Sequence, residues 1–204
     1  MATRIEHEYT SYISVVLGII AVFAVGGGAY YFSSMRAENK KSAPYDYNKP
    51  VPTDAQLRSR LKEEQYKVTR QNGTEPAFQN EYYNNERTGL YVDIITGDPL
   101  FSSLDKFDAG NGRLNFSKPL AKDRIAQKKD LSHPEIERVE IRTVRSDSHL
   151  GHLFHDGPPP GGERYTVNSA AVKFIAVEKL ANDGYGEFVS LFPGASATPK
   201  SGTP

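Results

Sequence analysis

The feature that most constrains the fold of this chain is a run without charged residues at positions 9–35. Its most apolar part, positions 13–32, has the length of a helix that crosses a hydrocarbon core of about 30 Å, at about 1.5 Å per residue. Aromatic residues mark both ends of the run, as they do at membrane interfaces. We therefore predict one transmembrane anchor at residues 12–34, preceded by a short flank at residues 1–11.

A cleaved signal peptide is the alternative interpretation of this run. It would need a basic start and a shorter apolar core, whereas Arg4 is offset by Glu6 and Glu8. The sequence therefore favours an anchor and a single-pass membrane protein. One basic residue precedes the run and several follow it, which places the rest of the chain on the cytoplasmic or mitochondrial-matrix side by the positive-inside rule.

Beyond the anchor, proline and polar residues at 35–52 indicate a linker. Residues 53–192 have the size of one domain, and residues 193–204, rich in Pro, Gly, Ser and Thr, are predicted to be disordered. Thr53 and Gln56 have the spacing of a capping box, so we predict an amphipathic helix at 53–66. Short strands are predicted at 90–95, 139–144, 150–154, 165–168 and 172–175. The fold class is therefore mainly β, of the α+β type.

Composition excludes several classes of function. The chain has 204 residues with 25 basic and 25 acidic ones, and this balance argues against a nucleic-acid partner, which requires a basic face. It has no cysteine, so disulfides, thiolate catalysis and thiolate metal sites are all excluded.

The densest group of chemically active side chains lies at 148–157, where three histidines are spaced three residues apart. Such a group next to an aspartate could suggest a metal site. On a regular strand, however, residues three apart point to opposite faces, so His149 and His152 would not reach one ion easily. We therefore expect no metal and no cofactor.

Several segments resemble motifs of the B-type methionine sulfoxide reductases. The segment at 148–157 is similar to the family's His-Leu-Gly-His-Val-Phe-x-Asp-Gly-Pro motif, and the segment at 164–169 is similar to its Arg-Tyr-Cys-Ile-Asn-Ser signature. Segments at 73–78 and 99–103 match further family motifs, in order and with natural spacing. The resemblance covers about residues 53–192. It implies two small antiparallel sheets with flanking short helices.

The resemblance also implies a set of site residues, and the nucleophile is missing from it. Thr166 replaces the catalytic cysteine, Asn111 replaces the resolving cysteine, and Arg113 replaces the tryptophan that packs on the substrate methyl group. The zinc-binding subset of the family has two Cys-x-x-Cys pairs, and this chain has neither. The remaining substrate-binding positions implied by the family are His149, His152, Asp156, Arg164 and Asn168.

Threonine does not replace the cysteine chemically. The family reaction requires a soft thiolate that attacks the sulfoxide sulfur and becomes a sulfenic acid. An alkoxide of Thr166 that took the sulfoxide oxygen would form a weak O–O bond, and activation by a histidine would yield an acyl-transfer nucleophile instead.

Three functions are compatible with these residues. The first is a catalytically inactive, membrane-anchored domain that serves as a structural or interaction module, such as an accessory subunit of a membrane complex. The second is a binder of methionine-sulfoxide peptides or another small ligand in the old cleft. The third is an active peptide-methionine (R)-S-oxide reductase that uses an external thiol. The sequence favours the first, because it alone accounts for the anchor, the missing thiols and Arg113 together.

Overall fold

The computed structural model describes residues 42–132 and 138–194. The predicted flank at 1–11, the predicted anchor at 12–34 and positions 195–204 of the predicted tail lie outside the described residues. No helix within the described ranges is long and apolar enough to cross a membrane.

Two short helices open the domain. Helix α1 spans Asp54–Arg60 and helix α2 spans Glu63–Gln71. The predicted capping box is confirmed, because the Thr53 N–H donates to the Gln56 side chain at 2.9 Å and the Gln56 N–H donates to the Thr53 hydroxyl at 3.4 Å. The prediction of one continuous helix at 53–66 is wrong. Leu61 and Lys62 are extended, and the Gln65 side chain accepts from the Lys62 N–H at 3.0 Å and starts a second helix.

Within the described residues, nine strands form two antiparallel sheets, and the predicted mainly β architecture is confirmed. The strands are β1 (Gly89–Asp93), β2 (Pro99–Ser102), β3 (Lys106–Phe107), β4 (Leu114–Phe116), β5 (Ile125–Asp130), β6 (Arg138–Thr143), β7 (His149–Phe154), β8 (Arg164–Val167) and β9 (Val172–Ala176). The small sheet has the order β2-β1-β9 and the large sheet the order β3-β4-β8-β7-β6-β5. A helix α3 (Val177–Leu180) follows the last strand.

Aromatic side chains from both sheets form the main core. Phe101 of the small sheet stacks on Phe116 of the large sheet with ring centroids 4.4 Å apart. Tyr91 contacts Phe116 edge-on at 5.0 Å. The next residues along β1, Leu90 and Val92, point to the opposite face and pack with the segment that follows α3. The small sheet is therefore buried on both faces, and one face of the large sheet remains for a site.

A second contact joins the ends of the two sheets, and we call it the hydroxyl cluster. The buried Asp93 carboxylate accepts hydrogen bonds from the hydroxyls of Thr96 and Ser146, both at 2.7 Å. Its remaining members are Thr143, 2.5 Å from the Ser146 hydroxyl, and Ser148, 2.7 Å from it. The residue pairs 93/96 and 143/146 each have the spacing of a Cys-x-x-Cys pair. In this chain, hydrogen bonds among their polar side chains join the two segments.

The part of the predicted linker that the structure describes contacts the domain. Tyr45 stacks on Tyr185 with ring centroids 5.5 Å apart and donates a hydrogen bond to Asp98 at 2.7 Å. Arg145 donates to the backbone carbonyl of Lys49 at 2.5 Å. The chain is thus held against the domain from residue 43 onward.

Candidate functional site

The site lies on the face of the large sheet that points away from the aromatic core. Tyr165 and Val167 of β8 enter the core, so Thr166 between them points to the other face. Asn115 of β4 pairs with Thr166 on one side, and His152 of β7 pairs with it on the other. Three neighbouring strands therefore place a row of polar side chains on one surface.

The two histidines of β7 share this surface, and the prediction that they point to opposite faces is wrong. A bulge changes the pairing of β6 with β7, so that Ile141 pairs with Gly151 and Arg142 with His149. Gly151 has φ +151°, and a Cβ there would lie 2.0 Å from the Thr166 carbonyl oxygen. The rings of His149 and His152 consequently lie with their centroids 5.6 Å apart.

The Thr166 hydroxyl takes part in two hydrogen bonds. It donates to the Asn115 side-chain oxygen at 2.9 Å and accepts from the Arg164 guanidinium at 2.7 Å. Arg164 is fixed in turn by two bonds of 2.8 Å to Asp156, and its guanidinium lies 4.3 Å from the centre of the Phe154 ring. No histidine within the described ranges is hydrogen-bonded to Thr166, so no base is placed to activate it.

Asn111 connects to Thr166 through Asn115. The Asn115 amide donates to the Asn111 side-chain oxygen at 2.9 Å and to the Arg113 carbonyl oxygen at 2.8 Å. The turn between β3 and β4 is thereby held against β8. The two positions that resemble the resolving and nucleophilic cysteines are thus linked by hydrogen bonds through one buried amide.

Carboxylates hold both histidines in place. Glu140 lies 2.6 Å from Nδ1 of His149, and Asp130 lies 2.8 Å from Nε2 of His152. Burial lowers the pKa of both histidines, and it outweighs the attraction of the two carboxylates. At neutral pH both rings are therefore neutral, and the negative charge stays on the acids.

Arg138 of β6 completes this side of the site. Its Nη2 atom lies 3.1 Å from Nε2 of His152, and its Nε atom lies 3.6 Å from Asp130. The Asp130 pKa is strongly lowered, mainly by hydrogen bonds from Ser132 and also by the one to His152. Asp130 therefore remains an anion and positions both cationic Arg138 and the imidazole.

Asn168 and Glu75 form the end wall. The buried Asn168 amide donates to the Leu150 carbonyl at 3.0 Å and accepts from the Glu75 N–H at 3.1 Å. The Glu75 carboxylate accepts from the N–H groups of Ser169 and Ala170, at 2.5 and 2.7 Å. These contacts fix the loop at 73–78 over the end of β8.

Together these residues enclose a cleft of about 220 Å³. His149 and Asp156 are not among its lining residues; His149 is buried behind His152, and the Asp156 side chain is 62% exposed. Sequence reasoning missed Asn115, Arg138 and the carboxylates Asp130 and Glu140. The cleft is lined by Thr74, Asn111, Arg113, Arg138, Gly151, His152, Phe154, Arg164, Thr166 and Asn168.

The lining carries an excess of positive charge. Arg138 is paired with Asp130 and Arg164 with Asp156. Arg113 instead donates to the Glu75 backbone carbonyl at 2.8 Å. Two of the three guanidinium groups are thus neutralised by carboxylates, and the third has a neutral partner.

Comparisons of the sequence with known proteins identify a matching family and a relative. The SelR domain family model matches residues 61–176, which include every residue that lines the cleft. The chain is also similar to the "Peptide methionine sulfoxide reductase MsrA/MsrB" of Vibrio cholerae, with 50% identity over 141 residues. That match covers 69% of this chain and 37% of the Vibrio protein. The chain therefore corresponds to about a third of the length of that relative.

Proposed function

Because the chain belongs to the SelR domain family, the B-type methionine sulfoxide reductases, we propose that it is a catalytically inactive member that serves as a structural or interaction module. The observation that carries this proposal is the Thr166 hydroxyl, hydrogen-bonded to Asn115 and Arg164 in a chain with no cysteine. The reaction of this family transfers the sulfoxide oxygen to a thiolate, which accepts it as a sulfenic acid. An alcohol has no equivalent product.

The second half of the proposal is a membrane location. The uncharged run at 9–35 supports a single-pass anchor, and the basic residues that follow it support a domain on the cytoplasmic or matrix side. An anchored domain without catalysis fits an accessory subunit of a membrane complex, held there by a protein partner.

A second candidate is a binder of sulfoxide peptides. His152 and Asn168 still line the cleft, and this observation favours retained binding. Arg113 opposes it, because a guanidinium does not provide the flat apolar wall that a methyl group requires. An active reductase with an external thiol is a third candidate, in which that thiol would have to enter the same small cleft.

A turnover assay tests the loss of catalysis. The full-length chain in mild detergent is incubated with a peptide methionine-R-sulfoxide and dithiothreitol, and the Vibrio cholerae relative serves as a positive control. We expect no methionine above the protein-free blank. Methionine formation that grows with the concentration of the chain would contradict the proposal.

Native extraction tests the structural role. Solubilised from its own membranes in mild detergent, the chain is expected to migrate with an assembly larger than the 22.6 kDa polypeptide and its micelle. Migration as a lone monomer would count against an accessory subunit. Calorimetry with the same sulfoxide peptide tests the second candidate, which predicts saturable heat.

A further inference from the structure

We propose that the cleft is a binding site for a carboxylate, recognised chiefly by Arg113. The carboxylate belongs either to a small organic acid or to an acidic side chain of a partner protein, since both present the same chemical group. This inference rests on the proposed loss of catalysis, because a working reductase would need the same cleft for its sulfoxide.

Arg113 has a neutral hydrogen-bond partner. Its Nη1 atom donates to the Glu75 carbonyl, and among the described residues no carboxylate lies within salt-bridge distance of its guanidinium. The nearby Glu75 carboxylate attracts Arg113 without a direct ion pair, and both of its oxygens accept backbone N–H groups. A half-buried guanidinium with only a neutral partner keeps donors free for an anion.

The two neighbouring guanidinium groups are held by side chains of the protein. Arg164 is fixed by its paired bonds to Asp156 and by the Phe154 ring. Arg138 is fixed by Asp130. Because these two guanidinium groups are already positioned, a ligand would lose little side-chain entropy on contacting them. Each of them is paired with its own carboxylate, so Arg113 is the one guanidinium lining the cleft without a directly paired carboxylate among the described residues.

A small monoanion fits this cleft. One guanidinium without a directly paired carboxylate matches a monoanion better than a dianion, and a planar carboxylate matches the fork geometry of a guanidinium. Asn111 and Asn168 line the cleft with amide groups that suit such an oxyanion. The volume of about 220 Å³ admits a carboxylate with a few carbon atoms and excludes a large ligand.

Calorimetry on the full-length chain in mild detergent at low salt tests the proposal. The probes are sodium butyrate, the peptide N-acetyl-Gly-Glu-Gly-amide and its glutamine counterpart. We expect saturable binding of butyrate or of the glutamate peptide, and none of the glutamine peptide. Butyrate alone identifies a small acid, and the glutamate peptide alone identifies a protein side chain.

Two variants assign the binding to Arg113. Arg113→Gln should weaken carboxylate binding by about tenfold, because a charge-assisted hydrogen bond is lost. Arg60→Gln is the matched control; it removes one positive charge from an exposed position on α1, outside the cleft, and should change the affinity less than about twofold. Thermal unfolding of both variants checks that they remain folded.

The outcomes separate this inference from the proposed function. Absence of saturable binding of both acids, or equal binding by the wild type and Arg113→Gln, overturns the carboxylate site. Turnover measured on the same sample decides the loss of catalysis independently. Carboxylate binding together with turnover would refute only the loss of catalysis, and absence of both would refute only the carboxylate site.

Discussion

The hydroxyl cluster and the cleft both contain several polar side chains, but only in the hydroxyl cluster do these side chains use their hydrogen-bonding groups on one another. In the hydroxyl cluster, the Asp93 carboxylate accepts hydrogen bonds from the hydroxyls of Thr96 and Ser146, and every member is buried or half-buried. In the cleft, Arg113 faces the opening with a neutral carbonyl as its partner. A closed network stabilises the fold, whereas one with unused donors is available to a ligand.

The largest expected effect on stability is at Gly151, which lies between His149 and His152 at the bulge of β7. Gly151→Ala places a Cβ 2.0 Å from the Thr166 carbonyl oxygen in a backbone conformation of φ +151°. The β7–β8 pairing would have to separate, which should cost about 4 kcal/mol of unfolding free energy in urea denaturation. Gly161→Ala is the control, because nothing lies within 4 Å of its Cβ. Equal stability of the two variants would contradict the bulge.

The next effect compares the two networks directly. Asp93→Ala leaves the hydroxyls of Thr96 and Ser146 without their acceptor in a buried site, which should cost about 3 kcal/mol. Asp156→Ala removes the 62% exposed carboxylate that pairs with Arg164 of the cleft, and should leave the urea midpoint nearly unchanged. A loss at Asp156 as large as that at Asp93 would mean that the cleft network also stabilises the fold.

The pH dependence of stability is the third effect. Burial lowers the pKa of His149 below its ordinary 6.5, so the unfolded chain binds the proton more readily. The free energy of unfolding should therefore fall as the pH drops below about 6.5. Burial acts to raise the pKa of Glu140, but hydrogen bonds from His149 and Arg142 outweigh it and lower the pKa below 4.5, so a second loss follows in stronger acid.

His149→Gln tests this assignment by urea denaturation between pH 7 and pH 5. The variant should lose part of the first decrease, because the pKa of His152 is also lowered by burial and His152 contributes over the same interval. His155→Gln, at an exposed position outside the network, should retain the wild-type profile. If all three proteins lost stability equally over this interval, another group would be responsible.

The smallest expected effect is on activity. Thr166→Cys alone should not give efficient reduction of a peptide methionine-R-sulfoxide, because Arg113 still lines the cleft and Asn111 cannot form a disulfide. Thr166→Cys with Arg113→Trp should show more methionine formation than either single variant. Robust turnover by Thr166→Cys alone would show that the substrate wall is intact.

Sequence patterns predicted the strands whose side chains alternate or form apolar runs, and missed others for physical reasons. The edge strand β5, Ile125–Asp130, has mostly exposed polar residues, so it lacks an apolar pattern. Strand β4 has three residues, too few for periodicity. The break between α1 and α2 depends on the Gln65 side chain capping Lys62, which competes with helix continuation.

The site residues were predictable only where the family resemblance or local spacing marked them. Asp130 and Arg138 meet His152 through cross-strand contacts that no local pattern contains. The bulge did leave a sign in the sequence. Leu150 and Leu153 are three residues apart, and both are buried in the core, which requires an irregular strand.

The composition of the cleft and hydroxyl cluster has a consequence for oxidative stress. The only two methionines of the chain are Met1 and Met35, and there is no cysteine, so residues 36–204 contain no sulfur atom. Asn111, Asn115 and Thr166 join their strands with amide and hydroxyl groups, which neither peroxide nor glutathione alters. A domain from a family of redox enzymes has thus become indifferent to redox potential, and its cleft would keep one shape in oxidising and reducing surroundings alike.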